Sequence, residues 1–239
     1  MHTSYFGGKN GFGMYQNIIN EIPPHINYYE LCLGSGAVMR NKQPGPGRNI
    51  GFEIVRSVAD KFVCVGSQAV KVECGISWLK RQNNLSKHSD FIYIDPPYQM
   101  VTRKSDKKVY WREWCDSDHD ELAQLLLSTT AMVMLSTYPG SCYDKILTGW
   151  RSKQFKSYTR KGPSTEVIYM NYPAPLRLHE YTFLGSNKTD RQRIKRKIES
   201  LQRRLLLLPH LERQAILRDH CRVCSWLTGI CAELRQAKN

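Results

Sequence analysis

Tyr28-Tyr29-Glu30-Leu31-Cys32-Leu33-Gly34-Ser35-Gly36 decides the fold of this chain. The first six residues form a mostly apolar run with the length of a buried strand, and the glycine pair that closes it permits a tight turn. Helical spacing resumes at once over Ala37 to Asn41. A strand feeding through glycines straight into a helix is the opening half of a parallel βαβ unit.

The same alternation continues downstream. A second strand is expected over Asn49 to Ile54, after the turn Pro44-Gly45-Pro46-Gly47, and a third over Ala69 to Cys74. Between and after them, Val55 to Val65 and Ile76 to Leu85 have helical patterns. The strand Phe91 to Ile94 follows, then a helix over Asp118 to Ser128, a strand over Ala131 to Ser136 and a helix around Tyr143 to Leu147. Gln154 to Thr159 and Glu166 to Asn171 read as an antiparallel pair. Upstream, the amphipathic stretch Phe12 to Ile22 is stopped by Pro23-Pro24. This order predicts an α/β fold, a Rossmann-like and mostly parallel sheet with helices on both faces and an antiparallel hairpin at its end. Ligands of such sheets sit beyond the carboxyl ends of the strands.

From Asn187 the pattern changes. Ile194, Ile198, Leu201, Leu205 and Leu208 step by fours and threes, Pro209 breaks the run, and a second helical pattern covers Leu211 to Leu234. The expected organisation is a body over residues 1–185 and a basic helical hairpin over 186–239. The hairpin is expected to pack on the body or to pair two copies as a homodimer. The chain of 239 residues carries a formal net charge of +14, and +8 of that excess lies after residue 185. Such asymmetry points to a polyanionic partner, most simply nucleic acid. The start lacks a basic segment followed by an apolar stretch, and no apolar run is long enough to span a bilayer, so a cytoplasmic location without membrane attachment is expected.

Eight cysteines are scattered through predicted strands and helices, which suits reduced, buried thiols better than a disulfide framework. Cys221-x-x-Cys224, with His220 and Cys231 nearby, has the look of metal ligands. However, Leu217, Cys221, Cys224, Leu227, Cys231 and Leu234 share one helix face, so packing is favoured and no metal is expected.

Two clusters carry chemistry. Asp95-Pro96-Pro97-Tyr98 ends the strand Phe91 to Ile94, and its two rings fix the backbone where the strand emerges. The result is a rigid ledge bearing a carboxylate and an aromatic ring. Asp95 and a prolyl carbonyl can accept hydrogen bonds from a flat exocyclic amine while Tyr98 stacks on its ring. In the second cluster, Gly34 and Gly36 let backbone approach a ligand closely. Glu53, 17 residues beyond Gly36, ends the next strand, where a carboxylate can bind both hydroxyls of a ribose. The absence of a third glycine suits a nucleoside without phosphates better than a dinucleotide.

Taken in order, Tyr5-Phe6-Gly7-Gly8-Lys9, Glu30-Leu31-Cys32-Leu33-Gly34-Ser35-Gly36, Phe52-Glu53 and Asp95-Pro96-Pro97-Tyr98 resemble the N6-adenine DNA methyltransferases of the Dam type, the D12 class. The resemblance spans about residues 1–100 and, more loosely, the strands to about Asn171. It implies S-adenosylmethionine as methyl donor and a methyltransferase form of the Rossmann-like sheet. It also implies that Tyr5 and Lys9 contact the cofactor, that the Gly34 to Gly36 turn passes under its methionine part, and that Glu53 holds its ribose. Asp95 would lie where cofactor and target base meet, with Pro96 and Pro97 shaping the ledge. Tyr98 would stack on an adenine flipped out of double-stranded DNA, since its amino group cannot be reached inside the duplex.

The chain departs from the better-known members of that class in one respect. They carry a sizeable target-recognition insertion between the glycine turn and the ledge, whereas 58 residues separate Gly36 from Asp95 here. Two segments offer a substitute: the hairpin helix, with Arg191, Arg193, Lys195, Arg196, Lys197, Arg203 and Arg204, and the loop Gln99 to Trp114, with Arg103, Lys104, Lys107, Lys108 and Arg112 interleaved with Tyr110, Trp111 and Trp114. That mixture suits phosphates and unstacked bases, and implies a short or relaxed sequence preference. The alternatives are methylation of RNA adenine or of a protein amide, and a catalytically silent nucleic-acid-binding subunit.

Overall fold

The computed structural model describes residues 8–11, 13–103, 107, 110–159 and 162–218. The chain divides into two compact units at Leu184/Gly185.

The first unit is built on a seven-stranded sheet. Its strands are β1 (Asn27–Leu31), β2 (Asn49–Glu53), β3 (Gln68–Val72), β4 (Asp90–Ile94), β5 (Met132–Thr137), β6 (Arg151–Thr159) and β7 (Gly162–Met170), in the spatial order β3-β2-β1-β4-β5-β7-β6. The first five run parallel, and β7 pairs antiparallel with both β5 and β6. This is the expected Rossmann-like α/β sheet closed by an antiparallel hairpin. The chain moves outward from β1 to β3 and then returns to β4 on the other side of β1. The carboxyl ends of β1 and β4 therefore flank the switch point where such sheets open a crevice.

Burial follows the two-residue period of a strand. Tyr29 and Leu31 of β1 and Ile92 and Ile94 of β4 join one core, with Phe52, Trp78, Leu122 and Tyr143. Tyr28 of β1 and Phe91 and Tyr93 of β4 join the other, with Ile18, Ile19, Val38 and Met39. Helices α1 (Met14–Ile19) and α2 (Ala37–Asn41) supply the second core, while α4 (Gly75–Lys80), α5 (Asp116–Ser128) and α6 (Tyr143–Ile146) supply the first, one group on each face. The near-continuous apolar reading of β4 matches a strand covered on both sides, all five of its residues being buried.

Several helices are shorter than their sequence patterns. Val55 to Val65 yields only the single turn α3 (Arg56–Ala59), and Ile76 to Leu85 yields α4 alone. In both stretches the residues beyond the first turn are largely exposed, including Val63 and Val65, so no packing rewards further helix. Among the described residues of the Gln99 to Trp114 loop, Met100–Thr102 forms a short 3₁₀ turn.

In the second unit, α7 (Lys188–Leu206) begins at Asn187, whose side chain accepts the Asp190 N–H at 2.9 Å. None of its residues is buried, and Ile198 and Leu201 are among its exposed apolar side chains. After Pro209, residues 210–218 are again helical. The rest of the anticipated second helix, including Cys221, Cys224 and Cys231, lies outside the described residues. No described helix is long and apolar enough to cross a membrane.

Candidate active site

The turn after β1 is shaped by three left-handed residues, Cys32, Gly34 and Gly36, with φ of 63°, 53° and 63°. Glycine takes this conformation freely, whereas for Cys32 it stores roughly 1–2 kcal/mol. Gly36 has a second constraint. A Cβ there would overlap the Phe62 ring and lie 3.1 Å from Leu33 Cδ1. Position 36 lies buried behind the turn and shapes it, while Gly34 is on the cavity wall.

Glu53 ends β2 buried beside that turn. Its Oε2 accepts the Gly34 N–H and its Oε1 accepts the Val55 N–H, both at 2.9 Å. One carboxylate thus ties the glycine turn to the end of the neighbouring strand. Each oxygen has a further lone pair for a ligand hydroxyl.

At the end of β4, the Asp95 N–H reaches the Leu31 carbonyl at 3.5 Å, continuing the β1–β4 ladder by one residue. The ledge is then pinned from below. The Gln99 amide donates to Asp116 Oδ1 at 3.0 Å, and its Oε1 accepts the Cys142 N–H at 2.7 Å, binding the segment to the starts of α5 and α6.

Lys9 connects the ledge to the hairpin. Its ammonium, 4% exposed, lies 2.8 Å from Asp95 Oδ1 and 3.1 Å from Glu166 Oε2 on β7, and donates to the Tyr98 hydroxyl at 2.5 Å. That hydroxyl is in turn 3.1 Å from each of Asp95 Oδ1 and Glu166 Oε2, and has one proton to give to either. Burial opposes the charge on Lys9, but Asp95 and Glu166 outweigh it and hold the ammonium well above its ordinary pKa. Burial pushes the Asp95 carboxyl up to about 6, Lys9 pulling it down and Glu166 pushing it further up. Glu30, buried beneath the turn, is pushed up to about 8 by the same loss of water. The Tyr93 hydroxyl, buried on the cavity wall, has no hydrogen-bond partner among the described residues.

One cavity gathers most of the residues anticipated from sequence: Lys9, Gly34, Glu53, Asp95, Pro96 and Pro97. Tyr110 and Arg112 line it too, with Trp111 and Trp114. Two expectations need correction. Tyr98 is only 4% exposed and off the cavity wall, its ring met edge-on by Tyr138 at 4.4 Å and by the Lys9 ammonium at 4.9 Å. In this arrangement Tyr98 secures Asp95 through its hydroxyl and offers no open face for stacking. Arg103 is an internal strut, not a phosphate contact. It donates to the Tyr98 carbonyl at 2.6 Å and pairs with Glu113 at 2.6 Å, with its guanidinium 4.8 Å from the Tyr110 ring centre. Arg112 keeps 57% of its side chain exposed, as expected of a surface contact, yet lies 3.8 Å from Asp118. Lys107 is exposed, while Tyr5, Lys104 and Lys108 lie outside the described residues.

Glu166 and Gln99 escaped the sequence reading. The one available signal for Glu166 is a carboxylate opening the buried run Val167 to Met170, where a charge is costly unless paired.

The sequence matches no family model and no curated protein. Among solved structures, it is similar to a putative methyltransferase, yhhF, from Escherichia coli, at 14% identity and a TM-score of 0.42, covering 72% of this chain and 90% of that one. A SAM-dependent methyltransferase from Archaeoglobus fulgidus gives 15% identity and a TM-score of 0.43, covering 65% and 90%. TrmK of M. capricolum, in complex with S-adenosyl-homocysteine, gives 10% and 0.41, covering 89% and 96%. Likeness at this level carries no information on reaction or substrate.

Proposed function

We propose that this chain is an S-adenosylmethionine-dependent methyltransferase acting on the exocyclic N6 amino group of adenine in DNA. The observation that carries the reading is the placement of Asp95, on a proline-stiffened ledge at the switch point, in the same cavity as Glu53 and the glycine turn. The residues fit the cofactor chemically. Glu53 retains acceptor capacity for a ribose diol, the Gly34 turn brings backbone to the wall, and the Tyr93 hydroxyl, without a partner among the described residues, is a buried donor that a polar ligand would satisfy.

When bound, the cofactor supplies a methyl group activated by a sulfonium. Asp95 and a prolyl carbonyl of the ledge accept the two N–H bonds of the target amine, which leaves its lone pair directed at the methyl. Oδ1 of Asp95 faces the Lys9 ammonium and the Tyr98 hydroxyl, so Oδ2 serves the substrate. As the N–C bond would form and the S–CH3 bond break, leaving the sulfur as a neutral thioether, the amine nitrogen would become positive, and Asp95 stabilises that charge and takes the released proton. Tyr110 and Trp111 are aromatic rings on the cavity wall, and Trp111, 85% exposed, is placed for contact with an unstacked base. The net charge of +14 favours a nucleic-acid substrate.

The test is transfer of label from S-adenosylmethionine to unmethylated DNA, with RNA in parallel, followed by digestion to nucleosides. N6-methyladenine in DNA is expected, and label confined to RNA would refute the substrate assignment. Asp95→Ala should reduce transfer to background while leaving a folded protein that still binds cofactor. Because the carboxylate must be ionised to accept the N–H, the wild-type rate should fall as pH drops through about 6, where Asp95 takes up its proton.

A further inference from the structure

We propose that Glu166 is a positioning residue for the transfer, a counter-carboxylate that shares Lys9 and Tyr98 with Asp95 and so keeps Asp95 oriented and electron-rich. The inference rests on the methyltransferase reading and goes beyond it by assigning a role to a strand of the terminal hairpin. Three observations carry it. Lys9 lies between two carboxylates at nearly equal distance, 2.8 Å from Asp95 and 3.1 Å from Glu166. The Tyr98 hydroxyl repeats that arrangement at 3.1 Å from each. All four groups are largely enclosed, Glu166 with 10% and Asp95 with 19% of its side chain exposed, so solvent does little to screen them.

The sheet register explains why Glu166 reaches the ledge. β5 ends at Thr137, which pairs with Val167, so Glu166 is the first residue of β7 beyond the carboxyl edge of the parallel strands. β6 supports it there, Phe155 pairing with Glu166. The hairpin thereby carries a carboxylate over the sheet edge to the level of Asp95.

Charge explains what the second carboxylate does. With Asp95 alone, the Lys9 ammonium would neutralise it, and a fully paired carboxylate is a weak acceptor toward a neutral amine. With Glu166 present, one positive charge is divided between two negative ones. Asp95 keeps net negative charge for the nitrogen that becomes positive during transfer. Lys9 and Tyr98 meanwhile fix Oδ1 and hold the carboxylate plane.

Glu166→Gln tests this with nearly unchanged shape. Purified wild type and variant would be compared for cofactor affinity, for kcat and KM against DNA across pH 5–9, and for the titration of carbon-13-labelled aspartate carboxyls. The expected result is cofactor affinity within about twofold, kcat reduced roughly 10- to 100-fold, in the range of one lost charge-assisted contact, and an acid limb moved to lower pH. That direction follows because Glu166 raises the Asp95 pKa and its removal lowers it. An unchanged kcat, or a reduced kcat with an unmoved acid limb and an unmoved Asp95 resonance, overturns the proposal. Should the wild type transfer nothing to DNA, the substrate reading fails by itself. The Asp95 titration then still decides the coupling to Glu166, its midpoint moving to lower pH if the proposal holds and staying in place if it does not. If Glu166→Gln does not fold, the same titration in Glu166→Asp, which shortens the carboxylate's reach, replaces it with the same expected direction.

Discussion

Glu53→Gln separates two roles that the structure gives one carboxylate. In the wild type, Oε2 and Oε1 each accept a backbone N–H, from Gly34 and from Val55, at 2.9 Å. A glutamine of the same shape has one oxygen, so its amide nitrogen must face one of those two N–H donors. One charge-assisted hydrogen bond is lost, about 1.5–3 kcal/mol, and a half-buried donor is left without a partner, about 1–3 kcal/mol. The sum, roughly 2.5–6 kcal/mol, is a large part of the stability of an ordinary domain but leaves most domains folded. The second role is in binding. Loss of one charged acceptor from a ribose diol costs about 1.5–3 kcal/mol, or about a 10- to 150-fold rise in Kd. Urea unfolding reads the first effect and calorimetric titration with S-adenosylmethionine and S-adenosylhomocysteine the second. A variant that unfolds like wild type and binds both within twofold would refute the reasoning about Glu53.

Two further predictions follow from the same part of the molecule. Gly36→Ala places a methyl against Phe62 in a left-handed conformation and should cost about 2–4 kcal/mol, read by denaturant unfolding; a loss below 1 kcal/mol would show that Phe62 yields freely. Glu30→Gln addresses a buried carboxyl raised to about 8, whose Oε2 accepts from the Tyr28 hydroxyl at 2.7 Å and the Met39 N–H at 2.9 Å. Between about pH 4.5 and 8 the unfolded chain releases this proton more readily than the folded one, so wild-type stability falls as pH rises through that window. Glutamine keeps an acceptor oxygen and has no proton to lose. The variant should therefore gain on wild type by a few kcal/mol between pH 5 and pH 8, and equal differences in melting temperature at both pH values would contradict the assignment.

The parallel sheet was legible in the sequence because the strands that form it are short, apolar and punctuated. Tyr28 to Gly36 and Phe91 to Tyr98 each combine an apolar run with residues that fix the backbone at its end, and such local constraints do not depend on partners. The same locality placed Gly34, Glu53 and Asp95 at carboxyl ends of strands, from which a shared crevice follows. Val55 to Val65 misled for the converse reason. Its helical spacing was present, but a helix persists only where its apolar face is covered, and that depends on elements elsewhere in the chain.

The roles of charged and aromatic side chains were decided by tertiary structure alone. A sequence presents Arg103 as one basic residue in a basic loop, and only the fold brings Glu113 and the Tyr98 carbonyl around it. It presents Tyr98 as the ring of a ledge, whereas the Lys9, Asp95 and Glu166 cluster claims its hydroxyl and Tyr138 packs against its ring. Glu166 lies 71 residues beyond Asp95 and enters the site through the strand register. Backbone conformation and apolar periodicity are set over a few residues, and those the sequence determined by itself. The pairing of charges is set across the sheet edge, by groups that become neighbours only after the hairpin has docked beside β5.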